Sequence, residues 1–154
     1  MNINMGLTEE QRLAMADAVS AVLADTYALY FKTHVYHWNV TGPRFHDLHT
    51  LFETHYNELW TATDELAERV RALGVAAPRS YAEMSEAASL IAEGTADTAD
   101  AMIADLVAGH EAVVSSIRQA LALAGETGDE ASADVLTPRL TAHEKAAWML
   151  RSSL

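Results

Sequence analysis

Residues 48–69, LHTLFETHYNELWTATDELAER, place leucines and a tryptophan at the spacing of one amphipathic helix. The same stretch carries His49, Glu53, Asp64 and Glu68, groups that are costly to bury alone. At about 100° and 1.5 Å per residue, His49 and Glu53 lie one turn apart, and so do Asp64 and Glu68. Glu53 and Asp64 differ by only about 20° around the axis, so both pairs face nearly the same way, yet roughly 16 Å of helix separates them. A single small cation, held by bonds of about 2.0–2.3 Å, cannot bridge that gap within one helix. Two copies packed antiparallel across a two-fold axis near Glu58 and Leu59 would set each His49/Glu53 pair opposite the other copy's Asp64/Glu68 pair. Two identical sites, each shared by two chains, would result. His37, near the end of the preceding helix, can approach the His49 end as a further imidazole. The alternative is that Asp64 and Glu68 pair with Arg69 or Arg71 and the histidines bond carbonyls.

Working outward, the rest of the chain reads as helix. TEEQ at 8–11 has capping-box spacing and opens a first helix whose stripe runs through Leu13, Ala16, Ser20, Leu23, Tyr27, Tyr30, His34 and His37. NVTGP at 39–43 ends it. The second helix runs from about Pro43 to Leu73, where Gly74 terminates it and Val75 supplies an apolar clasp. A link of roughly twenty residues follows, with Pro78, a capping box at Ser80–Glu83 and a short apolar-rich helix before Gly94. The third long helix spans about Ala96 to Ala124 and is broken by GETGD. The fourth covers about Glu130 to Ser152, with a kink or restart expected at Thr137 because Pro138 removes a donor. The expected fold is therefore all-α: one domain over residues 1–154, a four-helix bundle whose long crossover, carrying a short helix, leaves helices 2 and 3 parallel.

Composition narrows the chemistry. The 154 residues contain no cysteine, which removes disulfides, zinc ribbons and thiol catalysis, and leaves His and carboxylates as metal ligands. No apolar run approaches the roughly 20 residues of a membrane span, and MNINMGLTEEQR lacks the regions of a secretory signal, so a cytoplasmic protein is expected. A formal charge of −12 disfavours phosphate backbones and favours cations. The donor set suits Fe(II), Mn(II) or Zn(II) rather than copper. Neither a pair of Glu-x-x-His motifs nor His-Glu-x-x-His is present, which excludes the intrasubunit di-iron site and the zinc protease.

The segment YHWNVTGPRFHDLHTLFETHYNELWTATDELAERVRALG (36–74), with HEKAAWMLRS (143–152), resembles the Dps family, the mini-ferritins or DNA-binding proteins from starved cells, within the ferritin-like superfamily. The likeness covers essentially the whole chain. It rests on His-Trp-Asn, on a Leu-His whose histidine lies twelve residues after the first, and on Asp-x-x-x-Glu-Arg. The resemblance implies a hollow dodecamer that oxidises Fe(II), preferably with hydrogen peroxide, and stores ferric mineral, protecting against oxidative damage. Carried over residue by residue, it puts inter-subunit ferroxidase ligands on His37, His49, Glu53, Asp64 and Glu68. Glu53 stands where the family often has Asp. Trp38 resembles the family's site-adjacent electron donor, the alternative being a packed interface aromatic, and Glu126, Asp129, Glu130 and Asp134 fall where the family forms acidic pores, the alternative being acids favoured by the dipole at a helix start. His34 is expected in a supporting or interface role, His46 and His55 exposed, and His110 and His143 in packing or hydrogen bonding. DNA binding is expected to be weak or absent, since Arg12 is the first cation and the chain ends RSSL. The competing readings are a non-catalytic zinc or manganese buffer and a DNA-binding nucleoid protein with little ferroxidase activity.

Overall fold

The computed structural model describes residues 3–154, and among them every regular element is helical: α1 (Glu9–Asn39), α2 (Phe45–Ala72), α3 (Tyr81–Ala87), α4 (Ala99–Thr127) and α5 (Glu130–Arg151). The capping box at the start of α1 forms as expected, Thr8 Oγ1 accepting from Gln11 N–H and Gln11 Oε1 from Thr8 N–H. At the end of α2, Gly74 takes φ +93° and Val75 N–H reaches the Val70 carbonyl at 3.3 Å, closing a Schellman-type stop.

Cross-helix contacts establish the crossover. Arg12, at the start of α1, donates to the Leu73 carbonyl at the end of α2 (2.8 Å), so these helices are antiparallel. The chain then travels back along α1. Tyr81 meets Tyr27, Ser89 and Leu90 donate to buried Asp25, and Ala96 N–H reaches the Tyr36 hydroxyl. Gly94 passes so close to the Tyr36 ring that a Cβ there would sit 2.7 Å from it, which only glycine avoids without a shift. The first turns of α4 therefore meet the last turns of α1, where Asp105 accepts from Lys32 Nζ (2.9 Å) and from Tyr36 OH (2.5 Å). Burial and that hydrogen bond to Asp105 raise the Tyr36 phenol to about 12. Helices α2 and α4 run parallel, as the crossover reading requires.

Leu48, Phe52, Leu59, Leu66 and Val70 of α2 pack with Met15, Val19, Leu23 and Leu29 of α1 and with Ile103, Leu106, Val113 and Ile117 of α4 in one core. α1 packs on both α2 and α4, and α4 on α5, whereas α2 and α5 touch sparingly. No described helix is long and apolar enough to cross a membrane.

Three local expectations are corrected. Gly125 does not end α4; the helix runs on to Thr127 and stops at Gly128, φ +70°, with Asp129 N–H on the Ala124 carbonyl. An interior glycine costs a helix only about 1 kcal/mol, too little to end α4 at an exposed position. Pro138 neither stops nor restarts α5, which runs unbroken from Glu130 to Arg151 with the proline on its exposed side. Asp129 is no free acid. It is 4 % exposed, caps α5 by accepting from Ser132 N–H (3.0 Å), and takes both its bonds to Arg69 through Nη2 (2.8 and 3.0 Å). The Ser132 and Arg69 hydrogen bonds hold its carboxyl below the usual range against the opposing effect of burial. Breaking such a pair strands a buried guanidinium, so Asp129→Ala is expected to cost about 3–5 kcal/mol, read as a lowered midpoint in urea.

Candidate metal centre

His37 closes α1 and His49 sits in the second turn of α2, joined by the short turn at 40–44. That turn brings the two rings face to face, 3.7 Å between centroids and 20° between planes. Each imidazole is gripped by the other residue's backbone: His37 Nδ1 bonds the His49 carbonyl and His49 Nδ1 the His37 carbonyl, both at 2.8 Å. A carbonyl only accepts, so both Nδ1 atoms carry protons, and in the neutral imidazole that tautomer leaves the lone pair on Nε2. Orientation by a carbonyl on the far nitrogen is the usual support of a metal-binding histidine. No local spacing signals this reciprocity, which arises from the turn that docks one helix end on the next.

The carboxylates stand differently from the expectation. The core face of α2 is Leu48, Phe52, His55, Leu59, Ala62, Leu66 and Val70; Glu53, Asp64 and Glu68 are exposed, on a face turned away from it. The ligand-type residues therefore do not share the buried stripe. Among the described residues, none of the three acids has an ion-pair partner: Arg69 is committed to Asp129, and Arg71 donates to the Val75 carbonyl at 3.0 Å. The pairing with Arg69 or Arg71 is thus not what is found. α2 is unbroken from Phe45 to Ala72, so Glu53 and Asp64 remain about 16 Å apart along it. One chain brings together His37 and His49 but not all five residues, and no described group of three His, Asp or Glu side chains is arranged to hold an ion.

Around the two histidines lies a line of rings. Tyr56 meets His37 edge-on at 5.1 Å and stacks on His34 at 4.1 Å, Trp38 lies 4.2 Å from His34, and Trp60 lies 5.4 Å from Tyr30. Burial first, and His37 second, lower the His34 imidazole below its ordinary value. His34 Nδ1 contacts the Tyr30 hydroxyl at 3.4 Å, so it belongs to the aromatic line. Trp38, Phe45 and Trp60 are 58 %, 45 % and 55 % exposed, and an open trough of about 440 Å³ beside Asp64 is lined by Leu23, Tyr27, Trp60, Ala67 and Met84. Large apolar groups around a trough mark a contact surface.

The ferritin-like domain family matches residues 16–154. The chain is 35 % identical over 141 residues to "DNA protection during starvation protein 2" of Bacillus anthracis, covering 90 % of this chain and 94 % of that one. The chain belongs to the Dps family of ferritin-like proteins. It is also 42 % identical over 152 residues to a low temperature-induced protein of Nostoc, with 97 % of this chain and 85 % of that protein aligned. The Dps structure from Vibrio cholerae O1, described as "a member of a broad superfamily of ferritin-like diiron-carboxylate proteins", superposes with a TM-score of 0.92 at 33 % identity over 99 % of this chain and 96 % of that one. The all-helical bundle with a short helix in its crossover is that Dps architecture.

The remaining histidines divide. His46 is exposed, whereas His55, expected in solvent, is 6 % exposed on the core face of α2. Its place in the run Leu48, Phe52, His55, Leu59 is the signal that marks it as interior. His110 and His143 are buried and bond each other through their Nδ1 atoms at 3.0 Å. Burial is the main cause that lowers His110 to about 3 and His143 well below its ordinary value. Both folded values lie beneath the unfolded value near 6.5, so the unfolded chain binds the extra protons. Their contribution to stability is complete above about pH 6.5 and is lost as the pH falls toward 3. Metal-free protein should lose on the order of 1.4 kcal/mol per group per pH unit in that window, and His110→Leu should flatten the loss in thermal melts from pH 7 to 4.

Proposed function

We propose that this Dps protein is a ferroxidase and iron store: it oxidises Fe(II), preferably with hydrogen peroxide, at sites shared by two chains, and holds ferric mineral inside a hollow dodecamer. The observation that carries the reading is a divided centre. Two clamped imidazoles present Nε2 lone pairs at one end of α2, and two unpaired acids stand at the other, too far away to complete them within the chain. A neighbour across a dyad supplies the missing half. The exposed Trp38, Phe45 and Trp60 and the trough beside Asp64 give that neighbour a surface to cover.

His37, His49 and Glu53 of one chain, with Asp64 and Glu68 of the next, are the ligands in this reading, and iron is the substrate. Imidazole holds the ferrous ion at neutral pH, while carboxylates offset the charge of the ferric product and so favour its formation. Two ferrous ions give one electron each to one peroxide, which takes two protons and leaves as two waters, without releasing a hydroxyl radical. Trp38, in contact with His34 beside the site, is placed to donate an electron when a single iron is present. Zinc or manganese fits the same donors and would occupy the site without turnover.

Glu126, Glu130 and Asp134 are exposed near the α4–α5 turn and are the acids proposed to line an entry pore; Asp129 is withdrawn from that set by its bonds to Arg69. With a net charge of −12, the protein is expected to give no discrete retarded complex with duplex DNA at low salt in a mobility-shift assay. The test of the main reading is stopped-flow oxidation of Fe(II) by peroxide and by oxygen, with electron microscopy of the loaded particle. Faster oxidation with peroxide and an electron-dense core support it; iron or zinc bound without oxidation would leave the buffer reading instead.

A further inference from the structure

The core contains a second concentration of histidine, on the opposite side of α2 from the metal centre and not used by it. His55 of α2, His110 of α4 and His143 of α5 stand together, with ring centroids 5.8 Å apart for His55 and His110 and 5.1 Å for His110 and His143. Where α2 and α5 part, a cleft of about 330 Å³ opens, lined by Thr54, His55, Glu58, His110, Lys145 and Met149. That volume is at the lower end of small-molecule sites and roughly ten times the share of one water.

Hydrogen bonding fixes what this cleft offers. Arg139 Nη2 lies 3.3 Å from His143 Nε2, and a guanidinium only donates, so His143 Nε2 is the acceptor and its proton is on Nδ1. His143 Nδ1–H then donates to His110 Nδ1 at 3.0 Å, which places the His110 proton on Nε2. His110 Nε2–H is buried and has no partner, and buried His55 Nδ1 has none either. Both residues are more than nine-tenths buried. A purely structural core would place leucine here, because unpaired imidazole nitrogens in an apolar wall are costly.

The charges agree in sign. Glu58, the acid in the wall, is taken up by Arg139, which donates to both its oxygens. Lys145 has no ion-pair partner among the described residues and stands exposed at the mouth. Ala142, Ala146 and Met149 complete an apolar floor. A metal ion fits poorly, since His110 turns a proton rather than a lone pair inward, Arg139 lies close by, and no three ligands converge.

The geometry points to a second ligand site in the cleft between α2 and α5 that takes a monocarboxylate with a short apolar chain. Lys145 faces the carboxylate at the mouth, the chain lies on Ala142, Ala146 and Met149, and a slight opening of the wall on binding brings the carboxylate oxygens to His110 Nε2–H and to His55. This site stands independently of the iron reading.

The test is calorimetric titration of the intact assembled protein with hexanoate, hexanol and hexylamine. Hexanoate should bind once per chain, hexanol about tenfold more weakly and hexylamine not at all. Lys145→Glu, a surface change that leaves the core untouched, and Ala146→Leu, which fills the floor, should each weaken hexanoate at least about tenfold. His110→Phe should do the same. No heat with hexanoate up to about 20 mM, equal affinity for the amine, or unchanged affinity in Lys145→Glu and Ala146→Leu overturns the proposal. So does zinc bound once per chain in His49→Ala protein and lost in His55→Phe, which would make the cluster a metal site.

Discussion

His49→Ala should lower the initial rate of peroxide-driven Fe(II) oxidation at least about a hundredfold while the assembled particle survives. Removing an outer partner of a metal ligand already costs about 10–100-fold in affinity or activity, and His49 is proposed as a ligand itself. The substitution also deletes the bond from its Nδ1 to the His37 carbonyl and the ring stacked on His37, but the residue-49 carbonyl that holds His37 Nδ1 is retained, so the loss is chiefly that of the ligand itself. His49→Gln is the informative companion: it retains a donor for the His37 carbonyl but lacks an imidazole, and is expected to be equally slow. Circular dichroism and particle size separate a lost ligand from a lost fold. Near wild-type rates in both variants would remove His49 from the chemistry.

Mixing two inactive chains should restore activity. In the proposed dyad, each centre joins the histidines of one chain to the acids of the other, so a pair of His49→Ala with Asp64→Ala gathers both defects into one centre and leaves the second intact. Random pairing of equal amounts makes half the pairs mixed, with one working centre in two, so about a quarter of the wild-type rate is expected. Co-expression with two different tags, followed by stopped-flow assay of doubly tagged particles, reads the result directly. A centre built within one chain would give no recovery, and activity no higher than the mean of the two parents would refute sharing across the interface. The distance of about 16 Å between Glu53 and Asp64 on an unbroken helix is what makes this outcome so sensitive.

How much of this was legible in the sequence follows from which signals are local. The Thr8–Gln11 capping box and the Gly74 stop depend on a few adjacent residues and appear as read. The crossover followed from loop lengths, which constrain topology directly. Gly125 misled because one exposed interior glycine costs a helix little: α4 continues to Gly128, where the Arg69–Asp129–Ser132 cluster, assembled from two distant segments, sets the next helix start. The spacing of His49, Glu53, Asp64 and Glu68 was visible as one face, but whether that face met the core or a neighbour depended on where α1 and α4 dock. His55 lies off that face and so reads as exposed, although its register with Phe52 and Leu59 belongs to the interior. The mutual His37–His49 bonds were not legible at all, since they need backbone atoms brought together by a turn.

That mutual clamp has a consequence for the life of a newly made subunit. Its two imidazoles are already locked by peptide oxygens, so pairing contributes negative charge to a finished scaffold rather than reshaping a loose one. On the proposed reading, a solitary chain has only Glu53 of its own to balance a trivalent product, and its redox chemistry stays disarmed. Ferrous ions would then be turned over where a container exists to receive the rust, and not on subunits adrift before assembly.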